Sequence, residues 1–201
     1  MPFDLTTVDN HSFVESRLVK GPVLDAGARG FRFSEWFAQK GHAPVIAIDA
    51  DPTYSQQPKH QGVTVLHAAL LANPDPSYGL RMTEDPEARY VTNKEPAGTV
   101  PVRTLSMAQL DVKAWDIVKL NIEGAEFDIL ANWPGPIARQ IVVSFHEHCA
   151  HAKRGDDAIW KVVQHLSKWY AVVRHIKDAR YCAGENFWDS VFVLKELVFK
   201  P

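Results

Sequence analysis

Seven short apolar runs, rich in valine and isoleucine, recur along the chain. Apolar residues occupy both faces of each run, which is typical of strands buried inside a parallel sheet. The runs are PVLDAG (22–27), PVIAIDAD (44–51), VTVLHAAL (63–70), DIVKLNIE (116–123), QIVVSFHEH (140–148), AVVRHIK (171–177) and WDSVFVLKEL (188–197). They predict a central sheet with most of its strands in the interior.

Helical spacing of apolar residues separates several of these runs. In FRFSEWFAQKG (31–41), Phe33, Trp36 and Phe37 share one helical face, and Gly41 is the expected stop. Residues 124–132 and 154–169 predict two more helices. The second carries one apolar stripe, made of Ile159, Val162, Val163 and Leu166. Strands that alternate with helices predict an α/β fold with a parallel sheet covered on both faces.

Residues 73–101 interrupt this alternation with prolines and polar residues. Within them, GLRMT and RYVTN favour a hairpin over a helix, and we interpret the stretch as a hairpin insertion at the edge of the sheet. The length of 201 residues suits one domain with a substantial core. We therefore expect a single domain over 1–201, with 1–20 as an N-terminal extension.

Composition and charge narrow the classes of partner. Lysine and arginine total 22 against 24 aspartates and glutamates, so the chain lacks the broad basic surface that binds nucleic acid. No run approaches the roughly 20 apolar residues of a membrane span, and MPFDLTTVDNHSF is not a signal peptide. The two cysteines, Cys149 and Cys182, form no disulfide framework or CxxC pair, which favours a cytoplasmic protein.

The turn after the first run carries the main chemical information. In VLDAGARGF (23–31), Gly27 and Gly30 would let a ligand approach the backbone, although a glycine turn is equally expected at a tight corner. The spacing lacks one glycine of GxGxxG, and the carboxylate of Asp25 would repel a phosphate. Asp49 ends the second run, where an acid commonly binds both hydroxyls of a ribose. Asp25 and Asp49 thus favour a cationic, ribose-bearing ligand without phosphate, a description that fits S-adenosylmethionine.

The same stretches resemble a known class of enzyme. VLDAGARGF followed by VIAIDADP is similar to the first two motifs of Rossmann-like S-adenosylmethionine-dependent methyltransferases. VPVRTLSMAQL and WDIVKLNIEGAEFDILAN resemble more narrowly the FkbM family, through the KxxxEGAE pattern from Lys119 to Glu126. The resemblance implies a Rossmann-like methyltransferase three-layer sandwich, with a seven-stranded, mostly parallel sheet whose last strand is antiparallel.

The resemblance also implies a set of cofactor-binding residues. The methionine end of S-adenosylmethionine would lie against the glycine turn, the ribose against the end of the second strand, and the adenine at the end of the third. These positions correspond to Asp25, Gly27, Ala28 and Gly30, then Asp49 and Ala50, then His67 and Ala68. The chain departs from the family pattern in three places. The glycine turn is one residue shorter than DxGANxG, and Asn121 and Ser106 replace aspartates.

Candidates for the methyl-acceptor site follow the fourth and fifth strands. A hydroxyl acceptor must lose a proton, so a base is needed nearby. We select His146 as a proton acceptor near neutral pH, Glu123 as a second polar group, and Asn121 as a hydrogen-bonding clamp. Glu123 and Glu126 could instead cap the following helix. The HEHCAH run (146–151) invites a zinc site, but it lacks four well-spaced ligands, and we predict no metal.

The prediction is therefore a cytoplasmic methyltransferase that acts on a hydroxyl of a small molecule, sugar or glycan, with no nucleic-acid or membrane partner. The resemblance alone supplies that acceptor class. Two alternatives remain: a protein that binds S-adenosylmethionine with weak or no catalysis, and an NAD(P)-dependent oxidoreductase. A chain this short has little material for a lid, so a partner or a second subunit of a homodimer could complete the acceptor site.

Overall fold

A computed structural model describes residues 3–52, 58–81, 90–92, 99–146, 155–178 and 187–198. Across these residues, seven strands form one central sheet in the order β3-β2-β1-β4-β5-β7-β6. The strands are β1 (Val23–Ala26), β2 (Val45–Asp49), β3 (Val63–His67), β4 (Trp115–Leu120), β5 (Ala138–His146), β6 (Tyr170–Asp178) and β7 (Phe187–Leu194). Strand β7 pairs antiparallel with both β5 and β6, while the pairs from β3 to β5 are parallel. The predicted mostly parallel sheet with an antiparallel last strand is confirmed.

The sheet is covered on both faces, as the two-sided apolar pattern of its strands requires. Helix α1 (Arg32–Gln39) covers one face, where Phe33 and Phe37 pack on Val23 and Ile117. Helices α2 (Glu126–Ala131) and α3 (Gly155–Leu166) belong to the core of the other face. The predicted stripe of α3 is buried there, from Ile159 to Leu166. The order of strands and helices therefore forms three layers.

Two strand predictions extended too far. The run VTVLHAAL splits, because Ala68 donates its N–H to the carbonyl of Asp49 and Ala69–Leu70 then pairs in parallel with Thr104–Leu105. The run WDSVFVLKEL ends as a strand at Leu194 and continues as a short helix, α4 (Lys195–Val198). In both places hydrophobicity continues past the last sheet hydrogen bond, so the pattern could not show where each strand stops.

The predicted N-terminal extension contains a packed hairpin. Thr6–Val8 pairs antiparallel with His11–Phe13, and all three residues of the second strand are buried. Phe13 packs against the rings of Phe33 and Phe37. The Gln140 side chain accepts a hydrogen bond from Val14 N (2.9 Å) and donates one to Val14 O (2.8 Å). The hairpin is thereby bonded to β5.

Residues 73–101 contain a separate small sheet. Gly79–Arg81 pairs antiparallel with Tyr90–Thr92 and with Thr99–Pro101. The pairing of the first two segments is the hairpin that GLRMT and RYVTN predicted. A short 3-10 helix, Met107–Leu110, precedes β4. Among the helices described, none has the length and apolar character needed to cross a membrane.

Candidate functional site

The carboxyl ends of β1 and β4 lie side by side and hold a buried ion pair. Parallel register places Lys119 opposite Asp25, and Lys119 Nζ lies 3.0 Å from Asp25 Oδ1. Both side chains are at most 3% exposed. The same ammonium donates a hydrogen bond to Gly27 O at 2.7 Å. Lys119 therefore connects the KxxxEGAE segment to the glycine turn.

Asp25 also holds the start of α1. Its Oδ2 accepts hydrogen bonds from Ser34 Oγ (2.5 Å) and Ser34 N (3.2 Å). A carboxylate at this point satisfies an otherwise unbonded N–H and the positive end of the helix dipole. From the sequence, Asp25 is expected to offer its carboxylate directly to a ligand. The structure corrects that point, because its charge is already opposed by Lys119 and its side chain is buried.

The glycines of the turn have different reasons to be glycine. Gly27 has φ +74°, and a Cβ built on it would lie 1.8 Å from the backbone oxygen of Asn121. Gly30 has φ +75°, and its Cβ would meet no atom of the described residues within 4 Å. Gly27 thus allows β1 and β4 to approach each other, whereas Gly30 borders open space where a ligand could reach the backbone.

The amide groups of this turn are partly used within the protein. Gly27 N and Ala28 N both donate to Ile48 O, at 2.8 and 3.1 Å. A pyrophosphate-binding turn presents its N–H groups to the ligand instead. Together with the engagement of α1 by Asp25, these bonds disfavour the phosphate site of a nicotinamide enzyme.

The ends of β2 and β3 meet beside the turn. Asp49 pairs with His67 in the parallel register, and Ala50 and Ala68 follow directly. Asp49 Oδ1 accepts a hydrogen bond from Asp51 N at 2.9 Å. Burial raises the pKa of Asp49, and the Asp51 N–H opposes that shift. The predicted cofactor residues thus lie along one edge of the sheet, as their positions at strand ends required.

His146, at the end of β5, lies between two glutamates. Its Nδ1 is 3.2 Å from Glu126 Oε1, and its backbone N–H donates to the same oxygen at 2.7 Å. Its Nε2 is 3.4 Å from Glu123 Oε1. Glu126 is fully buried and also accepts a hydrogen bond from Gly124 N at 2.9 Å. The KxxxEGAE segment therefore surrounds the imidazole with carboxylates.

This environment determines the charge of His146. Burial by itself would lower the pKa, but the hydrogen bond and charge of Glu126 outweigh it. With further attraction from Glu123 and Asp189, the pKa of His146 rises to about 9. Burial would raise the pKa of Glu126, yet its bonds to His146 leave that pKa lowered. The expectation of a base near neutral pH is therefore corrected: His146 is an imidazolium there and has no vacant site for a proton.

Glu123 has a strained backbone. Its φ is 52°, in the left-handed region, and its side chain is 29% exposed. A non-glycine residue in this region costs on the order of 1 kcal/mol. Asn121, two residues earlier, is half-buried, and its N–H bonds Ala26 O at 3.0 Å. The turn after β4 thus directs a partly exposed carboxylate to the same edge as the glycine turn.

The structure adds one residue that sequence reasoning missed. His11, on the N-terminal hairpin, is 7% exposed, and its ring packs edge-on against Phe33 with centroids 5.9 Å apart. Burial lowers the pKa of His11 well below its usual value, and the nearby charges of Lys119 and His146 lower it further. Among the residues that the structure describes, its buried Nδ1 has no hydrogen-bond partner. In the sequence, only Phe13 and Val14 favour a strand here, and nothing in this segment indicates a site.

The charged side chains around Lys119 and His146 are mostly acidic. Among the described residues, four carboxylates surround Lys119 and His146, namely Asp25, Glu123, Glu126 and Asp189.

A cavity of about 280 Å³ lies between the segment after Ala68 and helix α2, lined by Leu71, Ala72, Asn73, Tyr78, Ala125, Asp128 and Asn132. No cluster of three metal-binding side chains occurs within the described ranges. His148, Cys149 and His151 of the HEHCAH run lie outside them.

Solved structures resemble this arrangement, whereas no protein-family model and no curated sequence matches the chain. A fibrillarin pre-rRNA processing protein of Methanococcus jannaschii superposes with a TM-score of 0.53 at 8% identity, over 92% of this chain and 70% of that one. A TehB-like SAM-dependent methyltransferase of Corynebacterium glutamicum gives 0.45 at 16% identity, over 87% and 80%. The N-methyltransferase NodS of Bradyrhizobium japonicum, solved with S-adenosylhomocysteine, gives 0.43 at 13% identity, over 88% and 79%.

At these identities the likeness concerns the fold. The strand order and the antiparallel β7 make it the Rossmann-like fold of class I methyltransferases. The narrower resemblance to the FkbM family, carried by Lys119 to Glu126, stays a prediction.

Proposed function

We propose that this protein is an S-adenosylmethionine-dependent methyltransferase of the FkbM type, which methylates a hydroxyl of a small molecule, sugar or glycan. The observation that carries the proposal is the excess of carboxylates over cations at the sheet edge where the glycine turn and Asp49 meet. A sulfonium and an ammonium group are attracted by such a site, and a pyrophosphate is repelled.

The residues at this edge of the sheet can be assigned to successive parts of the cofactor. The open side of Gly30 and the turn at Gly27 and Ala28 would receive the methionine end. Asp49, with Ala50 beside it, would accept hydrogen bonds from the ribose hydroxyls. His67 and Ala68 would border the adenine. Asp25 would not contact the cofactor itself. It would hold α1 through Ser34 and the glycine turn through Lys119.

The bound cofactor would supply an electrophilic methyl group, and the protein would align an acceptor with it. The turn after β4 offers groups for that alignment. Asn121 would clamp the acceptor by a hydrogen bond, and Glu123 would accept the hydroxyl proton. His146, charged and bonded to Glu126, would position the Glu123 carboxylate and stabilise it. The family resemblance, rather than any residue here, supports a hydroxyl acceptor.

Ligand binding tests the proposal directly. Isothermal titration with S-adenosylmethionine, S-adenosylhomocysteine and NAD should give binding of the first two only. Asp49→Ala should weaken that binding by about 1–3 kcal/mol, the value of hydrogen bonds to a charged acceptor. Asp156→Ala, at an exposed position at the start of α3, serves as the matched control. Binding of NAD alone would favour an oxidoreductase, and unchanged affinity in Asp49→Ala would remove Asp49 from the site.

A second candidate is a protein that binds S-adenosylmethionine without catalysing transfer. The shortened turn and Asn121, in place of the family aspartate, favour it. Release of S-adenosylhomocysteine in the presence of a panel of sugars and phenols separates the two candidates. Binding without any release across that panel would favour the non-catalytic protein.

A further inference from the structure

We propose that His11, on the N-terminal hairpin, is a cofactor-binding residue that accepts a hydrogen bond from the α-ammonium group at the methionine end of S-adenosylmethionine. This inference rests on the proposed function and assigns one further contact at the same site. Neither the family resemblance nor the glycine-turn motif includes this part of the chain.

The first support is an unsatisfied atom. Buried side-chain nitrogens in folded proteins nearly always have a partner, and leaving one without a partner is unfavourable, so each exception calls for an explanation. His11 Nδ1 is buried and has no partner within the described part of the protein. A ligand atom that binds there would remove that cost.

The second support is position. The His11 ring packs on Phe33, and the next residue, Ser34, bonds the Asp25 carboxylate. Lys119, whose charge acts on His11, bonds both Asp25 and the Gly27 carbonyl. His11 therefore lies on the same side of the sheet as the glycine turn, where the methionine end of the cofactor is expected.

The third support is the charge state of the ring. Burial, together with the cations Lys119 and His146, holds His11 neutral at physiological pH. A neutral imidazole with its proton on Nε2 has a free lone pair on Nδ1 and can accept an N–H. A protonated histidine would repel a ligand that carries an ammonium and a sulfonium. In that tautomer a neutral His11 can accept the hydrogen bond, and the carboxylates paired with Lys119 and His146 offset the repulsion that these two cations would exert on the ligand.

The test uses two ligands, only one of which carries the α-ammonium group of the proposed contact. S-adenosylhomocysteine contains the amino-acid end, and 5′-methylthioadenosine lacks it. His11→Phe keeps a ring against Phe33 but removes the nitrogen, and His11→Asn keeps a side-chain oxygen that can accept the hydrogen bond. His165→Phe, on α3 across the sheet, is the control.

We expect His11→Phe to bind S-adenosylhomocysteine at least about tenfold more weakly, the effect of one hydrogen bond to a charged group, with methylthioadenosine affinity unchanged. His11→Asn should restore most of the loss. Without ligand, His11→Phe should unfold at the same temperature as the wild type or about 3 °C higher, because it removes an unpaired buried nitrogen.

Other outcomes separate the two hypotheses. Equal loss for both ligands, or no loss for either, would overturn the role of His11 while leaving the cofactor assignment intact. Failure of the wild-type protein to bind either ligand would overturn the proposed function, and the inference with it.

Discussion

The buried pair of His146 and Glu126 makes the stability of the protein depend on pH in a defined direction. The pKa of His146 is about 9 in the folded protein and 6.5 in the unfolded chain. A group whose pKa rises on folding stabilises the native state fully below the unfolded value. That contribution disappears as the pH rises through the folded value. A rise of this size corresponds to about 3 kcal/mol, lost between roughly pH 6.5 and 9.

Replacing the carboxylate tests this reasoning. In Glu126→Gln the main interaction that raises the pKa of His146 is removed, so most of the pH dependence in this window should vanish. Urea unfolding of both proteins at pH 6, 7, 8 and 9 measures the difference, since all other groups titrate alike in the two. Glu196→Gln, at an exposed position in α4, should keep the wild-type profile.

A direct titration covers the case in which Glu126→Gln fails to fold. The imidazole resonances of wild-type His146, followed by NMR, should move with a midpoint near pH 9. A midpoint at or below 6.5 would refute the argument. An unchanged urea profile in a folded Glu126→Gln protein would refute it as well.

Three further predictions concern the same edge of the sheet. Gly27→Ala should prevent stable folding or abolish cofactor binding, because the added Cβ would overlap the Asn121 carbonyl. Gly30→Ala should lower the free energy of unfolding by only the ~1–2 kcal/mol of a left-handed backbone. Equal losses of unfolding free energy for the two variants, measured with urea, would contradict this. Lys119→Met should lower the free energy of unfolding by about 3–5 kcal/mol by leaving Asp25 buried and unpaired, and a loss below about 1 kcal/mol would show that the pair is not buried in solution. Because burial raises the pKa of Asp49, cofactor affinity should begin to fall at a higher pH than it would if this aspartate were exposed to solvent. Calorimetry between pH 4 and 7 measures that affinity. Asp49→Asn, which is neutral throughout, should show a smaller dependence of affinity on pH.

The sheet was predictable because its information is local. Each strand coincides with an apolar run rich in valine and isoleucine, and apolar residues of these runs, such as Val118, are fully buried. Strand ends were less predictable. Leu70 and Leu197 continue apolar runs although the chain has left the sheet at those points.

Side-chain electrostatics was not predictable to the same extent. The sequence indicated that Asp25 lies just before the glycine turn, but its partner Lys119 comes from a strand far along the chain, and only the register reveals the pair. Similarly, a histidine at the end of β5 suggests a base. The buried Glu126 that makes His146 cationic belongs to a different element, α2. From the sequence, Glu126 could equally have capped that helix. His11 was missed because a short N-terminal strand has no pattern that reports what it covers.

The paired hydrogen bonds between Gln140 and Val14 have a consequence for engineering. The side-chain amide takes the place of a neighbouring peptide group, so the segment after the N-terminal hairpin is bonded to β5 as though it were a further strand of the sheet. A shortened chain that starts near β1 would retain every central strand but deprive this amide of both partners. Such a minimal version would also expose the rings of Phe33 and Phe37 that Phe13 covers, and would need polar replacements there before it could be expected to stay monomeric.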